Sequence, residues 1–209
     1  MVGSACFALG SVPPAASALG SAAGWVFFIG SIFFTAAGYL QYYEATNEGD
    51  DLDGRGRTNR LIGARPSSIG WWAAAIQLVG TVAFNVSTFN ALRDLSTRQE
   101  EALVWAPDMV GSICFLIASA SVIVETHDRI RGMLFRSLES RIAALNMLGS
   151  IAFGIAAIAA FVVPSSGELL SLPIVNIFTF IGGVLFFVGA ALLIPAMRPE
   201  ATPAPQAAA

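Results

Sequence analysis

The chain has 209 residues, 56% of them hydrophobic and 12% charged, with a formal net charge of −3 and a mean hydropathy of +0.70. Soluble domains carry about twice that charged fraction, so no large soluble domain is hidden here. No basic arm and no interleaving of aromatic with basic residues marks a nucleic-acid partner, and none is expected.

Residues 1–17 are uncharged and broken by Pro13-Pro14. The piece is too short to cross a bilayer before that break, and it lacks the basic start of a signal peptide. It is expected to be a peripheral, outer N-terminal segment; the other reading is the stump of a helix whose true start lies upstream of Met1. The first predicted span covers about residues 18–43, closed by Tyr39, Tyr42 and Tyr43. The loop 44–66 is acidic and then basic. Asp51, Asp53 and Gly54 look like part of a calcium loop, but Gly49 and Arg60 stand at its first and closing ligand positions, so a solvated loop is expected. A second span, about 67–92, opens with Trp71 and Trp72. The third, about 103–125, opens at Trp105. The fourth and fifth cover about 141–163 and 171–196, and residues 197–209 read as a disordered tail.

Each span reaches the roughly 20 apolar residues that a membrane helix needs. All are apolar all round, as lipid-embedded helices are, and none shows the short alternation of barrel strands. The expected fold is all-α, a polytopic integral membrane protein with five transmembrane helices. All eleven basic residues are arginine. Nine of them fall in the loops 44–66 and 126–140 with its flank, and in the tail; only Arg93 and Arg98 fall on the other side. The positive-inside rule then makes the loops 44–66 and 126–140 and the C-terminus cytoplasmic and the N-terminus external, in a multi-pass cell-membrane protein. The tyrosines and tryptophans at the span ends read as interfacial belts.

One signature recurs in all five spans: a glycine, a small residue, an aliphatic, and phenylalanine four positions after the glycine. It reads Gly30-Ser31-Ile32-Phe33-Phe34, Gly80-Thr81-Val82-Ala83-Phe84, Gly111-Ser112-Ile113-Cys114-Phe115, Gly149-Ser150-Ile151-Ala152-Phe153 and Gly182-Gly183-Val184-Leu185-Phe186. The N-terminal Phe7-Ala8-Leu9-Gly10-Ser11 echoes it. Positions −3, 0 and +4 relative to the glycine fall within about 60° on a helix. The residues at −3 are Phe27, Gln77, Asp108, Asn146 and Thr179, four of them polar. Gly30, Gly80, Gly111, Gly149 and Gly182 therefore read as helix-packing positions, where a missing side chain lets a neighbour approach. Gln77, Asn146 and Asn176 read as interhelical hydrogen-bonding groups or as the lining of a polar path.

Asp108 has two readings. A carboxylate in hydrocarbon is a functional candidate. After Pro107, however, it fits the first turn of a helix, where it complements the dipole, and the cap is the expectation. Glu125, His127 and Asp128 form an acid–base-like group at the end of span three. Glu125 and Arg129 are spaced to pair at i, i+4, and a solvated helix end is expected. His127 is the sole histidine and no ligand spacing supports a metal. Cys6 and Cys114 are not expected to pair. No serine sits in a nucleophile motif and no glycine loop cradles phosphate, so no catalytic residue, cofactor or metal is expected.

Asn146-Met-Leu-Gly149-Ser150-Ile-Ala-Phe153, followed by Asn176-Ile-Phe-Thr-Phe-Ile-Gly182-Gly183-Val-Leu-Phe-Phe187-Val-Gly189, resembles the YrhK-like membrane domain, a two-helix hairpin. The resemblance covers about residues 144–196, and spans one to three look like diverged copies. It implies a helical membrane protein and assigns no activity. The expected function is non-enzymatic: a scaffold or accessory subunit that assembles with a membrane partner or with itself through its glycine faces. The alternative is a small transporter or channel with a polar path lined by Asp108, Gln77 and Asn146.

Overall fold

The computed structural model describes residues 1–48, 59–129 and 137–196. The calcium-like stretch Asp51–Gly54, the side chains of His127 and Asp128, and the tail lie outside them. The elements are α1 (Val2–Gly10), α2 (Pro13–Leu19), a 3-10 turn (Gly20–Ala22), α3 (Ala23–Asn47), α4 (Ile69–Asn90), α5 (Thr97–Glu100), a π turn (Glu101–Trp105), α6 (Ala106–Arg129), α7 (Leu138–Ala159) and α8 (Leu172–Ala196). Five helical segments are long and apolar enough to cross a membrane: Pro13–Asn47, Ile69–Asn90, Thr97–Glu125, Leu138–Ala159 and Leu172–Ile194. Local chemistry sets their starts. The Ser68 hydroxyl accepts from the Trp71 amide at 3.1 Å, and that of Ser137 from the Ser140 amide at 3.1 Å. Ser96 and Gln99 form a capping box ahead of α5.

Six helices close into a ring in the order α1, α3, α4, α6, α7, α8 and back to α1. Phenylalanine fills the middle. Phe7, Phe84, Phe115, Phe153 and Phe186 are buried and Phe34 packs against them. The rings form two stacked triangles. Phe7, Phe84 and Phe153, from α1, α4 and α7, have centroids 5.7–6.3 Å apart. Phe34, Phe115 and Phe186, from α3, α6 and α8, have centroids 5.6–6.2 Å apart. The layers join within helix pairs, Phe7 to Phe34 at 5.3 Å, Phe84 to Phe115 at 5.1 Å and Phe153 to Phe186 at 5.3 Å. Most pairs are edge-to-face, the arrangement that ring quadrupoles favour.

The glycines explain how the rings come so close. A Cβ on Gly80 would lie 2.8 Å from the Cys114 Cβ and 3.1 Å from the Gly111 carbonyl oxygen; one on Gly111 would lie 3.0 Å from the Gly80 oxygen. A Cβ on Gly182 would lie 2.5 Å from the Phe153 ring and 3.2 Å from the Gly149 oxygen, and one on Gly149 would lie 2.9 Å from the Phe186 ring. A Cβ on Gly30 would lie 2.8 Å from the Cys6 Cβ, and one on Gly3 would lie 2.7 Å from the Gly30 oxygen. Every glycine face is thus met inside the chain. The position after the glycine (Ser4, Ser31, Thr81, Ser112, Ser150) is buried between helices. Three of these hydroxyls bond across pairs: Ser31 to Thr88 at 2.9 Å, Ser150 to Ser119 at 2.8 Å, and Ser112 donating to the Phe153 carbonyl at 3.4 Å. The next position is turned about 200° from the glycine, and there Ile32, Val82, Ile113, Ile151 and Val184 are exposed on the outside of the ring.

Two expectations change. Residues 1–10 are not peripheral. α1 packs between α3 and α8 because Gly3-Ser4-Ala5-Cys6-Phe7, not the stretch ending at Gly10, meets α3 as Gly80 to Phe84 meets α6. Met1 lies beside Gly38, Gln41 and Gly189, so the chain starts in the half of the bundle that holds Gln77. Span three starts earlier than residue 103, at Thr97, because the Ser96 capping box precedes a helix that runs on through the π turn. Trp71 and Trp105 make tertiary contacts. The Trp71 indole donates to the Thr46 hydroxyl at 3.2 Å, and the Trp105 indole donates to the Ala157 carbonyl at 3.0 Å. Trp72, 47% exposed, keeps an outward position.

Candidate functional site

Adjacent helices in the ring run in opposite directions, so equivalent positions point to opposite ends. From α3, α6 and α8, the residues at −3 are Phe27, Asp108 and Thr179, and all three line one cavity. From α4 and α7 they are Gln77 and Asn146, which line cavities at the other end. The single path through Asp108, Gln77 and Asn146 is therefore divided by the phenylalanine layers.

The Asp108 cavity has a volume of about 370 Å³. Its floor is the first triangle, Phe7, Phe84 and Phe153. Its polar groups include Glu100, Asp108, Ser112, Asn176 and Thr179, and among the described residues no arginine lines it. Above it, Val162 and Leu169 pair across the turn between α7 and α8, and both line the cavity. Gly167, at φ +70, makes that turn, where its amide donates to the Val163 carbonyl at 2.8 Å. A side chain other than glycine rarely adopts that angle.

Asp108 falls in the first turn of α6, as its place after Pro107 suggests, but α6 continues the helical segment from Thr97 through the π turn, so no free helix end is there to cap. It stands eleven residues after the true start at Thr97, roughly 16 Å along the axis. It follows directly on the π turn and the Trp105 side chain anchored on α7. Single π turns inside helices re-aim the side chains that follow and recur at functional sites. The hydroxyls of Ser11 and Thr88 already donate to main-chain carbonyls, at 2.8 Å and 2.7 Å. Glu100, Asp108, Asn176 and Thr179 have no side-chain hydrogen bond or ion pair among the described residues. These four are available to an occupant.

The opposite end is wider. A cavity of about 850 Å³ is lined by Gln41, Glu44, Asn47, Gln77 and Asn146 among others. A smaller space of about 80 Å³ continues it inward to Phe34 and Phe186 of the second triangle. The Gln77 amide donates to the Gln41 carbonyl oxygen at 3.2 Å, bridging α4 and α3 as an interhelical bond. Asn146 packs over Gly189 of α8, whose added Cβ would lie 2.9 Å from its side-chain oxygen. Asn176 belongs to the Asp108 end. Glu125 lies beside Gly70 at the start of α4. Among the described residues no three His, Cys, Asp or Glu side chains converge to hold a metal ion.

Sequence reasoning missed Gly3, Phe7, Glu100 and the α7–α8 turn. A signal existed for the first two: Gly3-Ser4-Ala5-Cys6-Phe7 matches Gly111-Ser112-Ile113-Cys114-Phe115 at four of five positions. Compared with known proteins, the chain matches no family model, no curated protein and no solved structure.

Proposed function

We propose that the chain is a multi-pass integral membrane protein built from three copies of a two-helix hairpin, acting as a small transporter or channel. The hairpins are α1 with α3, α4 with α6, and α7 with α8. Equivalent glycine and phenylalanine contacts in all three support this reading. The YrhK-like resemblance of residues 144–196 coincides with the third hairpin and belongs to the same proposal. The observation that carries the function is the pair of polar cavities that end on opposite faces of one phenylalanine plug. A hydrophobic constriction of this kind closes a water path and opens when its rings separate. Repeats around a midplane are a common plan for transporters. The scaffold expectation rested on glycine faces looking for a partner, and those faces are already occupied within the chain. By the arginine asymmetry, the Gln77 end and the C-terminus face the cytoplasm and the Asp108 cavity faces outside; α1 then starts in the inner half and runs outward.

The test is flux in liposomes containing the purified protein. Phe84→Ala and Phe115→Ala, one in each triangle, are expected to pass small cations faster than the wild type. Wild type and both variants indistinguishable from empty vesicles would reject the transport reading.

A further inference from the structure

We propose that the Asp108 cavity binds a small organic ammonium ion, a primary or methylated amine carrying one positive charge. This deepens the transport reading and rests on it for its biological sense, although the binding itself does not require flux. Four features of the cavity converge on this chemistry.

The first is charge. Two carboxylates, Asp108 and Glu100, line the space, and among the described residues no basic side chain does. An anion is therefore opposed there, and a neutral solute leaves both carboxylates uncompensated. The second is the wall. Phe7, Phe27, Phe84, Phe153 and Trp105 line the same space. Aromatic faces attract cations through the ring quadrupole, most strongly in desolvated places, and such cages suit alkylated ammonium groups. Their apolar surface also accepts the carbon skeleton of an organic cation, for which a bare metal ion has no use.

The third is the donor set. The Asp108 carboxylate, with Asn176 and Thr179 unpartnered in the same lining, suits an ammonium head that donates a few directed hydrogen bonds. The fourth is size. A space of about 370 Å³ is at the small end of the range for organic ligands and far larger than an ion needs. Trp105 is fixed by its bond to the Ala157 carbonyl, so this wall is formed before the ligand arrives. Val162 and Leu169, paired across the α7–α8 turn, add apolar wall to the same space.

The experiment is equilibrium binding to the purified full chain in detergent, by calorimetry. The probes are tetramethylammonium, choline and phenethylammonium, with 3,3-dimethylbutanol as the neutral counterpart of choline. Saturable binding of at least one cation is expected, with none for the alcohol. Asp108→Asn is expected to weaken that binding about tenfold or more, the effect of deleting one charge-assisted contact. Asp108→Glu restores most of it. Ile151→Ala, on the outer surface, serves as the control for handling. Should Asp108→Asn fail to fold, the comparison of choline with the alcohol on the wild type still decides. Equal binding of the two, no saturable binding of any cation, or a folded Asp108→Asn that binds as the wild type each overturns the proposal. A cation that binds but does not cross the liposome membrane leaves this site standing and rejects the transport reading.

Discussion

The middle of the bundle and its Asp108 end are built by opposite rules. In the middle, the pairs α1–α3, α4–α6 and α7–α8 meet through glycines, with small residues buried, aliphatics outward and phenylalanines inward. The Asp108 end is made from what the three hairpins do not share. Among the described residues, only α5 and α6 are joined by a π turn and only the α7–α8 turn folds back as Val162 against Leu169; in the sequence, only α6 carries a carboxylate three residues before its glycine. Repetition gives a dry, close-packed centre. Departure from it gives a polar space with unpartnered groups. A residue's part in this molecule is therefore read by asking whether its position is shared.

The shared positions should be costly to change. Gly182→Leu adds a side chain where even a Cβ stands 2.5 Å from the Phe153 ring and 3.2 Å from a main-chain oxygen. The loss is expected at the upper end of the roughly 1–3 kcal/mol typical of overpacking, or beyond it. Thermal melting in mild detergent reads it, with Ile151→Ala as the partner variant. Ile151 is 43% exposed on the same helical unit, and its truncation should barely move the midpoint. Equal shifts for both would remove the distinction between a packed and an outward face.

A smaller effect separates the two regions at their border. Trp105→Phe keeps a large ring over Phe161, whose centroid is 5.1 Å away, and deletes the 3.0 Å bond to the Ala157 carbonyl. The stability cost should be about 0.5–1.5 kcal/mol. Cation binding should weaken as well, because the wall is no longer fixed. A variant that melts lower yet binds unchanged would place Trp105 with the packing alone.

The smallest change sharpens the contact between hairpins. Ser119→Ala removes the 2.8 Å hydroxyl pair with Ser150. Ser150 keeps its 2.9 Å bond to the Asn146 carbonyl, so no buried group is orphaned. The expected loss is about 0.6 kcal/mol, the average for interhelical bonds within membranes. Chemical denaturation against the wild type checks it, and a loss as large as that of Gly182→Leu would mean that hairpin-to-hairpin bonds, not glycine contacts, hold the ring.

The helical class and the five spans were legible, because each run is long and apolar throughout. Two errors came from geometry that local pattern does not carry. Placing Asp108, Gln77 and Asn146 on one path ignored that successive helices reverse direction, so a shared helix position alternates between ends. Reading Asp108 as a cap gave weight to Pro107 and overlooked Ser96 and Gln99, a capping box earlier in the same segment. The N-terminal unit was sought at Gly10, seven residues past the glycine that meets α3. The cavity roof was beyond reach. Val162 and Leu169 meet through a turn set by one positive-φ glycine, and nothing periodic marks it.

The central claim is that α1 is a full member of the phenylalanine core. It is tested by melting Phe7→Ala beside Phe84→Ala in the same detergent. Both rings belong to one triangle, 6% and 2% exposed, with centroids 6.3 Å apart. Lipid or detergent supplies no water-transfer term, so the cavity left behind dominates the cost, about 2–3 kcal/mol for a ring of this size. The account predicts losses for Phe7 and Phe84 that agree within about 1 kcal/mol. A Phe7→Ala midpoint equal to that of the wild type, beside a Phe84→Ala midpoint well below it, would contradict the account and return residues 1–10 to the periphery.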